Sequence, residues 1–298
     1  MKPHILLLLV FFSSCIDSSK ILPKSSGSVS EVLFVVDDSL WDKYIGNIVY
    51  GVFGQEILGV SRSEPSFNIL QINNSEFSSL FKTHQNVVLI SEDSSFNIIN
   101  DNWAKNQMVA HLGYNGHPEK FKSDCVRLYN LFYDKELVTL RKRILQRYND
   151  DYTQIIKREF NIDIIVSSEY SLVLDSTDIV WFTYNPENKE EIKHILVFSI
   201  NDSQEGLNDS ILTNSNKILS TYLKGSKDNS YVSLEPRYTP VMYRGSYRGI
   251  WKLQNGFMGG PIIIKPYFMN DKVVIVASLI FAPQSSKRKY IKEIEATL

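Results

Sequence analysis

Apolar residues recur along the chain with two periods, and the switches between them lay out the elements. Val32 to Val36 is an unbroken apolar run closed by Asp37-Asp38-Ser39, which predicts a buried strand feeding a helix N-terminus. Leu40, Tyr44, Ile48 and Val52 then follow at helical spacing, carrying that helix to about Gly54. Pro65 to Ile72 alternates as a half-buried strand, and Ser75 to Phe81 predicts a short helix. Asn86 to Ile90 and Gln107 to Leu112 predict two further strands. From Pro118 to about Phe160 the spacing is helical, as one long helix or as two broken near Tyr133-Asp134.

The second half returns to strands at 163–166, 171–174, 179–184 and 195–200, then a helix over 209–223. Strands at 247–253, 260–267 and 272–281 follow, spaced by turns like a meander. Tyr290, Ile291 and Ile294 line the inner side of a terminal helix. This alternation predicts an α+β fold. Its expected form is two α/β-plait-like units with mostly antiparallel sheets, residues 30–117 and 160–298, joined by a long central helix or helix pair over 118–159.

The N-terminus departs from this rhythm. Met1-Lys2-Pro3-His4 precedes an apolar run from Ile5 to Phe12 and then Ser13-Ser14-Cys15, the layout of a secretory signal. The run is far shorter than the roughly 20 residues that cross a bilayer as a helix. Phe12-Ser13-Ser14-Cys15 resembles a bacterial lipobox, with Phe12 where an aliphatic residue is usual and Ser14 where Gly or Ala is commoner. The expectation is a signal peptide over 1–14, lipidation of Cys15 with palmitate among the acyl groups, and a flexible tether over 15–29. Ile16 after the cysteine favours the outer membrane by the enterobacterial sorting rule, and leaves the periplasmic or surface face undecided.

Composition narrows the partners. Hydrophobic residues make up 43% of the chain and aromatics 12%, which supports a sizeable core and excludes a disordered chain. A formal net charge of −1 gives no basic footprint for nucleic acid. With Cys15 acylated, Cys125 is the one remaining thiol. Phe121, Cys125, Leu128 and Phe132 share a helical stripe, so Cys125 is expected to pack as a small hydrophobe.

Candidate chemistry is sparse. Asp37 and Asp38, at the end of a buried strand, are the best-placed carboxylates for a hydrolase, but they are adjacent and lack a phosphoryl-transfer pattern. Helix capping by Asp38 or Ser39 is the plainer reading. His111 and His117 meet neither helical nor strand spacing for a zinc pair, so no metal or cofactor is expected. Gly256, Gly259 and Gly260 lack phosphate-loop spacing and fit a tight turn ahead of Pro261. Arg141-Lys142-Arg143 is expected to be a solvated helix face. Arg237, Arg244, Arg248 and Trp251, with Tyr238, Tyr243 and Tyr247 among them, form a dense arginine–aromatic set of the kind found at binding hot spots.

Tyr247 to Pro261, with Phe281-Ala282-Pro283 and Lys287-Arg288-Lys289-Tyr290, resembles the distinctive segment of domain-of-unknown-function family 4837. Gly27 to Trp41, Glu64 to Phe67 and Asn102 to Gln107 match in place and order, extending the resemblance over nearly the whole mature chain. It implies an envelope lipoprotein of the Bacteroidota and brings no catalytic residue. The expected function is a non-catalytic protein- or glycan-binding module using Arg237, Arg244, Arg248 and Trp251. The alternatives are a hydrolase using Asp37 or Asp38 and a structural role in envelope assembly.

Overall fold

A computed structural model describes residues 21–201 and 206–298. Cys15 and the signal lie outside the described residues. Part of the segment expected to be a flexible tether is docked: Ser26 donates its N–H to the Thr83 carbonyl at 2.8 Å, and Lys105 donates to Pro23 O at 2.8 Å. Gly27, at φ +92°, lies flat on the His84 ring, where a Cβ would meet Nε2 at 2.4 Å.

The first half builds a five-stranded sheet. Strand β1 (Glu31–Val35) leads through the turn α1 (Asp38–Leu40) and a π-helical turn (Trp41–Ile45) into helix α2 (Gly46–Phe53). Strand β2 (Asn68–Ile72), helix α3 (Ser79–Lys82), strands β3 (Asn86–Ser91), β4 (Phe96–Asn100) and β5 (Met108–Gly113) follow. The strand order is β2-β1-β3-β5-β4. β1 pairs in parallel with β2 and β3, β3 pairs in parallel with β5, and β4 alone is antiparallel. The expected antiparallel character is therefore wrong for this sheet. The reason is connectivity: β1 and β2 are joined across helix α2, and β3 and β5 across the edge strand β4, so each pair runs parallel, and the two-sided burial of Val32 to Val35 fits a covered parallel sheet.

Val32, Phe34 and Val36 face α2 and the helix α4 (Pro118–Leu145). Leu33, Val35, Val87 and Val109 face the other way, against Phe77, Phe81 and Trp103. Both faces are closed. Helix α4 runs without interruption through Tyr133-Asp134, and the break falls instead at 146–149, before α5 (Asp150–Phe160). Asn149 starts α5 by accepting from the Tyr152 N–H at 3.4 Å, so the cap sets the break.

The second half is an eight-stranded antiparallel sheet. Its strands are β6 (Ser171–Asp175), β7 (Ile179–Tyr184), β8 (Ile192–Asn201), β9 (Tyr231–Leu234), β10 (Val241–Tyr243), β11 (Ser246–Gln254), β12 (Gly259–Phe268) and β13 (Lys272–Phe281). Their order is β10-β11-β12-β13-β8-β7-β6, with β9 on the far part of β11. Helix α6 (Leu207–Tyr222) covers one face with Ile211 and Leu219; α5 and α7 (Arg288–Thr297) cover the other. Residues 163–166, expected to be a strand, are non-strand backbone: Asp163 is exposed, and Ile164 and Val166 are buried in the cluster that includes Ile156 and Phe160 of α5. The fold is mixed α+β: two sheets with the long helix α4 and its neighbour α7 between them.

Candidate binding site

Register defines the floor of a cavity in the second sheet. Thr183, His194, Leu279 and Ile262 are cross-strand neighbours on β7, β8, β13 and β12. Ile192 and Phe281 form the next row toward the strand ends. Helix α6 stops short of these rows: Leu223 turns extended, and Gly225 donates to Ser230 O at 2.9 Å as the chain returns toward β9. A cavity of about 480 Å³ remains beyond the helix end, lined by Trp181, His194, Tyr222, Leu223, Trp251 and Met258 among others.

Its polar side chains are Thr183, Asn185, His194, Ser226 and Lys224. Trp181 Nε1 donates to His194 Nδ1 at 3.2 Å. An accepting Nδ1 fixes the neutral tautomer with its hydrogen on Nε2, and that nitrogen has no hydrogen-bond partner among the described residues. Burial pushes the imidazole down to about 4, which keeps it neutral at ordinary pH. Trp251 is anchored by its Nε1, which donates to Ile280 O at 3.0 Å. That approach needs Gly260: a Cβ there would meet Ile280 O at 2.1 Å. Gly259 and Gly260 thus open strand β12 and admit a tryptophan, where a tight turn had been expected.

The four predicted binding residues do not gather in one place. Trp251, 4% exposed, is at the cavity wall. Arg248, 2% exposed, lies in the seam between the halves, donating from Nε to Glu295 at 3.1 Å and from Nη2 to Tyr133 Oη at 2.7 Å. Arg244 occupies a two-residue hairpin turn with Gly245, both at positive φ, and its guanidinium lies over the Tyr133 ring at 4.6 Å. Arg237 is out in solvent, paired with Glu235 at 3.1 Å. The continuous arginine–aromatic surface expected from the sequence does not form, because alternation along β11 turns Arg248 inward to a buried carboxylate.

The seam holds a second buried cation. Lys292 is fully buried and donates to Glu136 at 2.5 Å and to Ser30 Oγ at 2.7 Å. Glu136 in turn accepts from the Ser30 N–H at 2.6 Å. Burial pushes the Lys292 amine down to about 8, opposed by the Glu136 charge. A serine beside a depressed lysine is the pairing of a nucleophile and its base, but both side chains are sealed from solvent and no substrate can reach them. The arrangement is a clamp. Arg141 adds to it by donating to the Ala296 carbonyl at 2.9 Å at the end of α7, so the basic run is not simply a solvated face.

The expected helix capping by Asp38 or Ser39 is not made: the N-cap position is Asp37, and it has no side-chain cap hydrogen bond. Asp38 accepts from Asn73 Nδ2 at 3.0 Å and Gln71 Nε2 at 2.9 Å, which hold its carboxyl below the usual carboxylate range. Asp37 accepts from the Asn74 N–H at 3.3 Å. Both stitch β1 to the end of β2, and no histidine or arginine bonds to either among the described residues. Cys125 is buried, and burial pushes its thiol up to about 12, as the helical stripe implied.

Fold and site together define a two-sheet α+β protein with a partly open apolar cavity in its antiparallel sheet. The chain belongs to the family described as domain of unknown function DUF4837, whose model matches residues 149–298. Residues 25–145 match a second model, domain of unknown function DUF8532. The two meet at the turn between α4 and α5, so the resemblance read over nearly the whole mature chain holds for its second half, and Gly27 to Trp41 falls within the other model. No curated protein matches the chain.

Proposed function

We propose that this protein is a lipid-anchored envelope protein that works by binding rather than catalysis, and that its binding site is the apolar cavity beyond α6. The observation that carries this reading is the lining: two tryptophans, a tyrosine, leucines and a methionine make up most of it, with the neutral His194 imidazole on the floor and Thr183, Asn185, Ser226 and Lys224 as the other polar side chains. Ligand cavities are concave and mostly apolar, with a few polar groups that fix orientation. The unpartnered His194 Nε2 is suited to donate one hydrogen bond to an oxygen on an otherwise apolar ligand. The anchor reading rests on the signal features and Cys15 of the sequence.

The test uses the mature chain and N-phenyl-1-naphthylamine, a neutral apolar probe. Saturable fluorescence enhancement is expected, and Met258→Arg, at the half-exposed cavity mouth, should abolish it while leaving the unfolding temperature near that of the parent. Absence of saturable binding, or binding indifferent to Met258→Arg, overturns the reading. The anchor is tested by incorporation of a palmitate analogue in a bacterial host, expected to disappear in Cys15→Ser.

A further inference from the structure

The apolar cavity has a neighbour of opposite character. Between the halves, a cleft of about 540 Å³ is lined by Arg62, Glu64, Lys287 and Arg288 together with Phe257 and Phe281. Phe281 also lines the apolar cavity, and the entry to β12 is divided between the two: Met258 lines the apolar cavity, Phe257 and Gly259 the cationic cleft. The two spaces therefore adjoin at the ends of β12 and β13. Phe257 stands 93% exposed at the cleft.

The charges of this cleft are unbalanced. Its carboxylate, Glu64, is occupied: it accepts from the Lys287 N–H at 2.8 Å, the Arg288 N–H at 3.0 Å and Ser286 Oγ at 2.7 Å, closing the first turn of α7. Burial works against the charged carboxylate, but these hydrogen bonds and the Lys287 charge hold it below its ordinary value. Arg288 donates to the neutral oxygens of Pro65 at 2.7 Å and Asn68 at 3.1 Å. None of Arg62, Lys287 and Arg288 makes an ion pair among the described residues. Burial lowers the Lys287 amine; the Glu64 charge opposes that shift, and the nearby Arg62 charge adds to it, so the two cations are close enough to feel one another. The Lys287 ammonium donates to the neutral Ser285 carbonyl. Three cations converging on a concave space with their one carboxylate already engaged are arranged for an external anion.

We propose that cavity and cleft are two parts of one site for a single-chain amphiphile with a compact anionic head. The alkyl chain lies over Leu279 between Trp181 and Trp251, passes Phe281, and delivers a carboxylate or phosphate head to Arg62, Lys287 and Arg288. This assignment rests on the reading of the apolar cavity as the binding site, and the experiment separates the two.

The probe is displacement of N-phenyl-1-naphthylamine from the mature chain by dodecanol, dodecanoate, dodecyl phosphate and inorganic phosphate, each below its aggregation threshold. Dodecanoate or dodecyl phosphate is expected to displace the probe at concentrations about tenfold lower than dodecanol. Which of the two is tighter names the head. Arg62→Gln with Lys287→Gln should bring both anions to the affinity of dodecanol and leave dodecanol unchanged. Arg62→Gln alone, at an exposed side chain, should give part of that loss without risk to folding. If the probe binds but alcohol and anions compete equally, the cavity reading stands and the head assignment fails. Displacement by inorganic phosphate as effective as by dodecyl phosphate would show that chain and head are not one site. Failure of the probe to bind removes the cavity reading itself.

Discussion

The two halves solve the covering of a sheet in opposite ways. In the first, the strands are five or six residues long and the helix beside them, α4, has 28 residues. At about 1.5 Å per residue α4 is roughly 42 Å long, against about 20 Å for those strands. The helix outruns the sheet. Its surplus reaches the other half with Tyr133, Glu136 and Arg141, which grip α7 and β11. In the second half β8, β12 and β13 have 10 residues each and α6 has 16. Even laid along the strands, α6 would span about 24 Å against about 33 Å. Here the sheet outruns the helix. One mismatch makes a seam and the other makes a cavity.

The largest way to break that comparison is to disarm the seam. Lys292→Met leaves Glu136 buried and unpaired, and removing one member of a buried pair costs about 3–5 kcal/mol. Chemical denaturation should show that loss, and Lys292→Met with Glu136→Leu should recover most of it, because the uncompensated charge is gone. If the single variant unfolds like the parent, the overhang of α4 is not what holds the halves together.

The next test strikes the cavity wall. Gly260→Ala places a methyl group against the Ile280 carbonyl and must displace either strand β13 or the Trp251 ring that bonds there. Overpacking of this kind costs about 1–3 kcal/mol. Tryptophan emission should shift, and binding of the apolar probe should weaken. The same change at Gly51, which has nothing within 4 Å of its Cβ position, should be neutral or slightly stabilising through helix propensity.

Which features were legible in the sequence follows the same division. The buried strand of Val32 to Val36 and the helical stripe through Cys125 could be read directly, because burial and period lie along one segment. The α+β class followed from their alternation. Strand direction did not, since parallel pairing is set by which strands become neighbours. Strand β4 escaped because Phe96-Asn97-Ile98-Ile99-Asn100 is a short edge strand, and β9 and β10 are only 4 and 3 residues long. Arg248 was read as a surface group because arginine is seldom buried; its partner Glu295 lies 47 residues away and its neighbour Tyr133 lies 115 away. Trp251 was singled out for a surface it does not join, yet it lines the cavity. The cavity itself is a property of two element lengths and no motif records it. One signal did point to it: Gly259-Gly260 facing a tryptophan across a strand pair marks a close approach.

An effect confined to acid pH sharpens the cavity side. The His194 imidazole sits near 4 in the fold and at its ordinary 6.5 when unfolded. Between those values the unfolded chain binds the extra proton. The stabilisation from a neutral His194 is therefore complete above about pH 6.5 and is lost as pH falls toward 4, with a steepest slope of about 1.4 kcal/mol per pH unit. His194→Gln keeps an acceptor for the Trp181 indole and does not titrate. The difference between the two proteins' denaturation free energies should change across this window and be flat from pH 7 to 8. A difference that is constant from pH 4 to 8 would show that the ring is solvated well enough to keep its ordinary value.

The smallest expected effect contrasts two arginines 11 positions apart on either side of one hairpin. Arg237 is exposed, and among the described residues its ion pair is with Glu235, its neighbour two residues back, so that pair is screened by water and held in place at an entropic cost. Arg237→Ala should leave stability essentially unchanged. It should also leave probe binding unaltered, because the side chain lines neither the cavity nor the cleft. Arg248→Ala removes the same chemical group from a site sealed between Glu295 and Tyr133, where the loss should approach that of Lys292→Met. Equal effects at the two positions would mean that the halves are loose enough for water to enter between α4 and α7. The long helix would then be only a cover for its own sheet.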